Sequence, residues 1–169
     1  MFYLGSKGRY CRKCIRFISQ KLPEDSFHEV DSEYHLSFSL TSDQQRISHQ
    51  LNELVLNNQS VLLEAVCGAG KTELVYETIA SQLALGHKVG FAIARRQVVL
   101  EIAERLAGVF TNLKVTAVCG GHTGELNGDI IVLTTHQLFR YRQYFDLLIL
   151  DEPDAFPYKG NGTLHGFAH

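Results

Sequence analysis

Short apolar runs alternate with amphipathic stretches along most of the chain. The runs are typical of buried strands, and the apolar positions between them recur at helical spacing. The predicted strands are 61–65, 88–94, 114–118, 129–134 and 145–150. The predicted helices carry apolar faces at 47–55, 74–83 and 98–107, with a shorter helix near 137–139. Strands that alternate with helices on continuous apolar runs favour a parallel sheet covered on both faces, which is an α/β fold.

The first part of the chain has a different pattern. Residues 22–32 contain a proline and several acids, which is typical of a linker. Residues 34–40 alternate apolar and polar, as in a half-buried strand or an extended arm. Thr41 or the serine after it is positioned to cap the following helix. We therefore expect an N-terminal arm, residues 1–39, and one principal domain, residues 40–169.

Composition narrows the classes of function. The 169 residues are 45% hydrophobic, which is enough for one buried core and too few for two full domains. The net charge of −2 gives no global sign of nucleic-acid binding, so any DNA contact must come from local clusters. No apolar run approaches the roughly 18 residues of a spanning helix, and the N-terminus lacks the layout of a secretion signal. We therefore expect a cytoplasmic protein.

A glycine-rich loop follows the first predicted strand. Residues 65–72 read Ala-Val-Cys-Gly-Ala-Gly-Lys-Thr, a Walker A pattern with Ala in place of the first Gly. Gly68 and Gly70 allow consecutive backbone N–H groups to point at phosphate oxygens. Lys71 supplies a positive charge for the phosphates, and the Thr72 hydroxyl can bind Mg²⁺. The alternative is a glycine-rich turn that merely starts a helix.

An acidic pair follows the last apolar run. Asp151 and Glu152 come directly after the predicted strand 145–150, where a Walker B motif is expected downstream of a phosphate loop. Asp151 would hold Mg²⁺, and Glu152 would orient or deprotonate the attacking water. Two carboxylates beside a triphosphate repel each other unless a cation lies among them, so the charges themselves imply the metal. The alternative is a solvated acidic turn.

Two cysteines lie close together in the basic N-terminal arm. Cys11 and Cys14 are separated by two residues, a spacing that favours metal or redox chemistry in a reducing compartment. A closed structural zinc site needs four ligands, and the chain contains no second Cys-x-x-Cys pair. His28 or His35 could complete such a site, but neither has motif spacing. The pair therefore supplies half of a zinc site.

Polar residues also follow the other predicted strands. Arg95 and Arg96 come after the second strand, a glycine pair that includes Gly121 after the third, and Thr135 and His136 after the fourth. In parallel sheets, ligands bind at the carboxyl ends of the strands. Cations, N–H groups and hydroxyls at that edge could contact a nucleic-acid backbone, or could simply be ordinary polar loops.

Four segments together carry a family resemblance: 68–73, 95–96, 134–138 and 151–158. They resemble superfamily 2 helicases and, more narrowly, the ComFA-type late competence ATPases of Gram-positive bacteria. In that family a four-cysteine zinc element precedes two RecA-like domains, and ATP hydrolysis helps to draw single-stranded transforming DNA through a membrane channel. The resemblance implies a RecA-like domain that works with the DNA-uptake machinery at the inner face of the membrane, with no transmembrane segment of its own.

The resemblance also implies roles for individual residues. Gln44 lies where the family reads adenine, and Cys11 and Cys14 match the second zinc knuckle. The residues implied in binding ATP and Mg²⁺ are Gln44, Gly68, Ala69, Gly70, Lys71, Thr72, Glu73, Asp151 and Glu152. The residues implied in contacting single-stranded DNA are Arg95, Arg96, Gly121, Thr135 and His136.

The chain departs from the family pattern at three places. The first cysteine pair is missing, and Pro153 stands where the family usually has Val or Ala. The chain ends before the second RecA-like domain with its arginine finger, and before the strand that the family inserts between the phosphate-loop strand and the Asp-Glu strand. We therefore expect an incomplete domain that binds nucleotide with negligible turnover on its own.

Two other classes of function are considered. The chain could be a non-catalytic module that binds DNA or a partner through its basic arm while the nucleotide site is vestigial. A P-loop kinase is disfavoured by the Asp-Glu pair and by the absence of a substrate lid.

Overall fold

The computed structural model describes residues 33–36, 39–64 and 70–151, together with the backbone of 2–3 and 9–10. The α-helices in these ranges are α1 (Ser42–Leu56), α2 (Lys71–Leu74), α3 (Tyr76–Ala84) and α4 (Arg96–Val109). A 3-10 helix, η1, spans Thr135–Phe139. The strands are β1 (Phe2–Tyr3), β2 (Arg9–Tyr10), β3 (Val89–Ile93), β4 (Val115–Val118), β5 (Ile130–Thr134) and β6 (Leu147–Leu150).

Four of the strands form a parallel sheet in the order β4-β5-β3-β6. The predicted parallel α/β fold is therefore confirmed. Ile93 lies beside Thr134, Ala92 beside Leu150 and Val118 beside Leu133, so the strands end at one edge. The short strands β1 and β2 pair antiparallel with each other.

The two faces of the sheet bury different sets of side chains. On one face, β3 and β5 pack under α3 and α4 through Val89, Phe91, Ile93, Ile130, Val132, Ile79, Leu83, Val99, Ile102 and Leu106. On the other face, the strands pack against η1 and the segment after it through Ala92, Val118, Ile131, Leu133, Leu138 and Tyr141. Alternate residues of β6 contribute to each cluster. The central strands are therefore apolar throughout because both of their faces are covered.

Helix α1 packs on α3 and begins at the predicted cap. The Thr41 side chain accepts a hydrogen bond from the Gln44 backbone N–H, and the Gln44 side chain accepts one from the Thr41 N–H. This reciprocal pair is a capping box, which satisfies two helix-end donors. The Ser48 hydroxyl, on the next turn of α1, donates to the Glu77 carboxylate of α3. The first half of α1 is therefore tied to α3.

Two predicted elements differ from the observed ones. The strand predicted at 61–65 is wrong for its described part, because residues 61–64 form no strand and Leu62 is 74% exposed. A strand requires a neighbouring strand for its backbone hydrogen bonds. Within the described ranges, residues 61–64 pair with no strand of the sheet, and β6 has a strand neighbour, β3, on one side only. The helix predicted over 74–83 is divided at Val75 into α2 and α3.

The N-terminal segment follows the second of its two predicted alternatives. Residues 33–36 and 39–40 form no strand, and Tyr34 packs its ring against Tyr76 and Phe110. The described part of this segment is therefore an extended arm that covers the core. The division of the chain at residue 39 stays a prediction.

Candidate functional site

The carboxyl edge of the sheet brings several predicted residues together. Because the strands are parallel and in register, Arg95, Thr135 and Asp151 follow β3, β5 and β6 at the same edge. The Asp151 backbone N–H donates to the Ala92 carbonyl at 3.0 Å, which fixes Asp151 beside the end of β3. Asp151 is half-buried. A carboxylate at this edge is a suitable ligand for Mg²⁺, which prefers oxygen.

Arg96 and Gly121 are neighbours across this edge. A β-carbon on Gly121 would lie 3.4 Å from Nη2 of Arg96, and Gly121 has a φ of +84°, a conformation that disfavours other residues. The turn that contains Gly121 is closed by a pair of backbone hydrogen bonds between Cys119 and His122. The guanidinium of Arg96 therefore lies over a tight, exposed turn.

The other residues predicted to contact DNA differ in exposure. Arg95 and His136 are exposed, as are Arg96 and Gly121. Thr135 is 0% exposed, and its hydroxyl has no hydrogen-bond partner among the described residues. The exposed surface at this edge is therefore formed by two arginines, a histidine and a glycine turn, with Thr135 beneath it.

The described end of the phosphate loop is held by α1. Gly70 precedes α2 in a left-handed conformation, with φ 74° and ψ 41°. A β-carbon there would lie 3.1 Å from Nε2 of Gln44 and 3.2 Å from Oε2 of Glu73. Only glycine fits this conformation with these neighbours without strain. The structure therefore brings together three residues predicted to bind nucleotide.

The first turn of α2 carries the predicted phosphate and Mg²⁺ ligands. Lys71 and Thr72 are half-buried, and the Gly70 carbonyl accepts hydrogen bonds from the N–H groups of Glu73 and Leu74 at 3.1 and 3.2 Å. An ammonium group and a hydroxyl directly after the left-handed Gly70 fit a phosphate and its magnesium ion. The approach of Lys71 and Thr72 to Asp151, on which a shared magnesium ion depends, stays a prediction.

One ion pair near Gly70 was missed by sequence reasoning. The Glu73 carboxylate pairs with the guanidinium of Arg105, on α4, with Oε1 3.6 Å from Nη1. Arg105 also pairs with Glu101, four residues earlier on α4, at 3.2 Å. The contact with Glu73 depends on how α2 and α4 pack, and no local pattern reports it.

Tyr76 lies beside this ion pair in the core. The ring is 1% exposed and stands edge-on to Phe110, with ring centroids 6.0 Å apart. Burial raises the pKa of Tyr76 to about 12, with a further increase from Glu73 and an opposing effect from Arg105. The charges of Glu73 and Arg105 therefore affect the pKa of a tyrosine in the core.

Several predicted residues lie outside the described ranges, and they stay predictions: Cys11, Cys14, Gly68, Ala69 and Glu152. Within the described ranges, no group of three or more His, Cys, Asp and Glu side chains could hold a metal ion. The zinc prediction rests on Cys11 and Cys14, which lie outside these ranges, and it has no support from the described residues. A magnesium ion held mainly by phosphate oxygens and water needs only one or two protein ligands, so the donor set of Thr72 and Asp151 fits it.

The parallel sheet with flanking helices is that of a RecA-like helicase domain. The chain belongs to the family described as type III restriction enzyme, res subunit, which it matches over residues 37–161. It is also 38% identical to competence protein ComFA of Bacillus subtilis, in an alignment that covers 95% of this chain and 36% of that protein. Competence protein ComFA of Streptococcus pneumoniae is 35% identical, in an alignment that covers 97% of this chain and 39% of that protein.

The resemblance inferred from the motifs is therefore confirmed. The chain spans less than two fifths of the length of these two relatives. In the part of the chain that the structure describes, no helix is both long enough and apolar enough to cross a bilayer.

Proposed function

We propose that the chain is the ATP-binding portion of a DNA-dependent ATPase that helps to import single-stranded DNA during competence. The observation that carries the ATP-binding part is the packing of Gln44 and Glu73 around the left-handed Gly70, directly before Lys71. The family match and the printed name of the two relatives, a competence protein, support the wider role.

Each described residue has a distinct task in this proposal. Lys71 binds the phosphates, Thr72 and Asp151 bind Mg²⁺, and Gln44 reads the adenine. Bound Mg²⁺ supplies charge that offsets the phosphate oxygens. Glu152 would orient the attacking water.

The second task of the proposed protein is contact with single-stranded DNA. Arg95, Arg96 and His136 are exposed at the edge where ligands of parallel sheets bind, and Arg96 lies over the turn at Gly121. Positive side chains and backbone N–H groups suit the sugar-phosphate backbone and carry little sequence preference. Such contact agrees with a DNA partner whose sequence is arbitrary.

The test of the nucleotide site is Lys71→Ala. Loss of a charge-assisted contact corresponds to about 1.5–3 kcal/mol, so the affinity for ATP should fall about tenfold or more. Titration of the purified chain with a fluorescent ATP analogue measures this change. Lys114→Ala is the control. Lys114 is an exposed lysine that directly precedes β4 and pairs with Glu125.

Each outcome of this titration bears on the proposal. Weaker binding by Lys71→Ala with unchanged binding by Lys114→Ala supports a phosphate site. Equal affinities of the wild type and both variants would contradict it and favour the non-catalytic module.

A further inference from the structure

A negatively charged side chain, that of Glu73, lies beside the proposed phosphate site. The Glu73 carboxylate folds back on its own turn, with Oε2 3.2 Å from the position that a β-carbon of Gly70 would occupy. Gly70 is the last residue of the predicted phosphate loop. A carboxylate there repels a triphosphate unless its charge is offset.

Arg105 supplies the opposite charge from α4. Its Nη1 lies 3.6 Å from Oε1 of Glu73, and its Nη2 lies 3.2 Å from Oε1 of Glu101. The Glu73 side chain is 14% exposed, whereas that of Glu101 is 65% exposed. Solvent therefore screens the pair with Glu73 less than the pair with Glu101.

We infer that Arg105 is a positioning residue of the nucleotide site, which holds the Glu73 carboxylate and offsets its charge beside the phosphates. This inference rests on the proposed function. Arg105 acts through Glu73 and needs no contact with the nucleotide. Its effect should therefore grow with the number of phosphate charges on the ligand.

The central test is Arg105→Gln, which removes the positive charge and leaves Glu73 uncompensated. The Kd of ATP should rise about three- to tenfold, as expected for like charges several ångströms apart in a partly screened site. The Kd of AMP should change by less than about twofold, because AMP has fewer charges to repel. Fluorescence titration with both nucleotides measures the difference, which a general loss of structure would not produce.

Three further variants separate charge from packing. Arg105→Lys keeps the charge and should restore most of the ATP affinity. Glu73→Gln removes the repulsive charge, together with any contact that Glu73 itself makes with the nucleotide, and its ATP affinity serves as the reference for the next comparison. In the Glu73→Gln background, adding Arg105→Gln should have no further effect, because the charge that Arg105 offsets is gone.

Glu101→Gln is the matched control. It removes the other partner of Arg105 and leaves the pair with Glu73 in place, so the Kd of ATP should not change. Thermal unfolding of Arg105→Gln and Glu101→Gln shows whether the two variants differ in stability. Should Arg105→Gln fail to fold, Arg105→Lys still tests the inference, because it keeps the charge and should keep most of the ATP affinity. Loss of ATP binding with AMP binding intact in Arg105→Lys would contradict it.

The failures of the inference and of the proposed function are distinguishable. Arg105 has no positioning role if Lys71→Ala loses ATP binding while Arg105→Gln retains it. The same holds if Arg105→Gln weakens ATP and AMP equally, or weakens ATP in the Glu73→Gln background. If Lys71→Ala also binds ATP normally, the proposed function fails and the inference falls with it.

Discussion

Gly90 shows how one missing side chain sets the packing of the central strand. A β-carbon on Gly90 would lie 2.8 Å from the ring of Phe145, which is shorter than side chains tolerate. That ring is part of an aromatic cluster with Tyr141 and Tyr144, whose centroids lie 5.2 and 5.3 Å away. The ring cannot shift without disturbing both neighbours, so the site should resist any added volume.

We therefore expect Gly90→Ala to destabilise the chain by about 1–3 kcal/mol, the usual cost of overpacking a core. Urea unfolding followed by circular dichroism measures this change. Gly108→Ala is the matched control, because Gly108 lies in α4 with open space around the new methyl group. It should stabilise the chain by about 0.5–1 kcal/mol through helix propensity. Equal effects of the two substitutions would contradict the packing argument.

Local pattern identifies residues such as Lys71 and Asp151 but not the neighbours that constrain them. The Walker motifs are read from short spacings, and the capping box at Thr41 is visible within four letters of the sequence. The need for glycine at position 90 comes from Phe145, which is distant in the chain. The pairing of Glu73 with Arg105 is likewise a product of tertiary packing. Local sequence patterns therefore predict the residues of the candidate site, whereas the contacts that hold those residues depend on tertiary packing.

The apolar face of the helix after the phosphate loop was predicted, but the division of this helix into α2 and α3 was not. Leu74, Thr78, Ile79 and Leu83 are buried, as the spacing predicts. Val75 interrupts the element between α2 and α3. Periodicity reports which face is buried and not which neighbour covers it. The role of Tyr76, which packs against an arm and against the end of α4, was therefore missed.

Tyr76 should make stability depend on alkaline pH. Its pKa is raised from 10.0 to about 12, mainly by burial, so the folded state keeps the phenol protonated where the unfolded state has lost the proton. The unfolded state then binds fewer protons, and the free energy of unfolding falls as pH rises. The contribution is fully present below pH 10 and is lost progressively as pH approaches 12. The total loss should be about 1–3 kcal/mol.

The comparison variant is Tyr76→Phe, which keeps the ring and removes the titrating group. Its free energy of unfolding in urea should fall less steeply between pH 10 and 12 than that of the wild type. Parallel pH profiles for the two proteins would show that Tyr76 does not titrate differently in the folded and unfolded states. The difference between the profiles removes the effects of other tyrosines and of lysines.

The sheet as a whole was predicted in its type but not in its order. Alternation of apolar runs with amphipathic helices is enough to predict parallel strands with covered faces. The order β4-β5-β3-β6 depends on which runs find hydrogen-bonding neighbours, and this information is not local. The run at 61–64 has the composition of a strand yet remains outside the sheet. An apolar composition alone is therefore not enough for a segment to form a strand.

The parallel sheet collects charge at one edge, although the whole chain has a net charge of −2. The exposed arginines that follow β3 lie there with the turn at Gly121. A cationic side chain that contacts a DNA phosphate releases the counterions condensed on the DNA. For single strands, each such contact steepens the fall of log K with log salt concentration by about 0.7. A DNA partner at this edge would therefore reveal itself in the dependence of affinity on salt.

We expect Arg96→Ala to lower the slope for a single-stranded oligonucleotide by about 0.7 and to weaken binding uniformly across sequences. Fluorescence anisotropy over a range of salt concentrations measures both quantities. Arg46→Ala is the control, because Arg46 is also an exposed arginine and pairs with Asp43 on α1. Since both variants change the net charge by the same amount, only a local contact can separate them. Identical slopes for Arg46→Ala and Arg96→Ala would mean that DNA is attracted by the overall field and not held at the carboxyl ends of the strands.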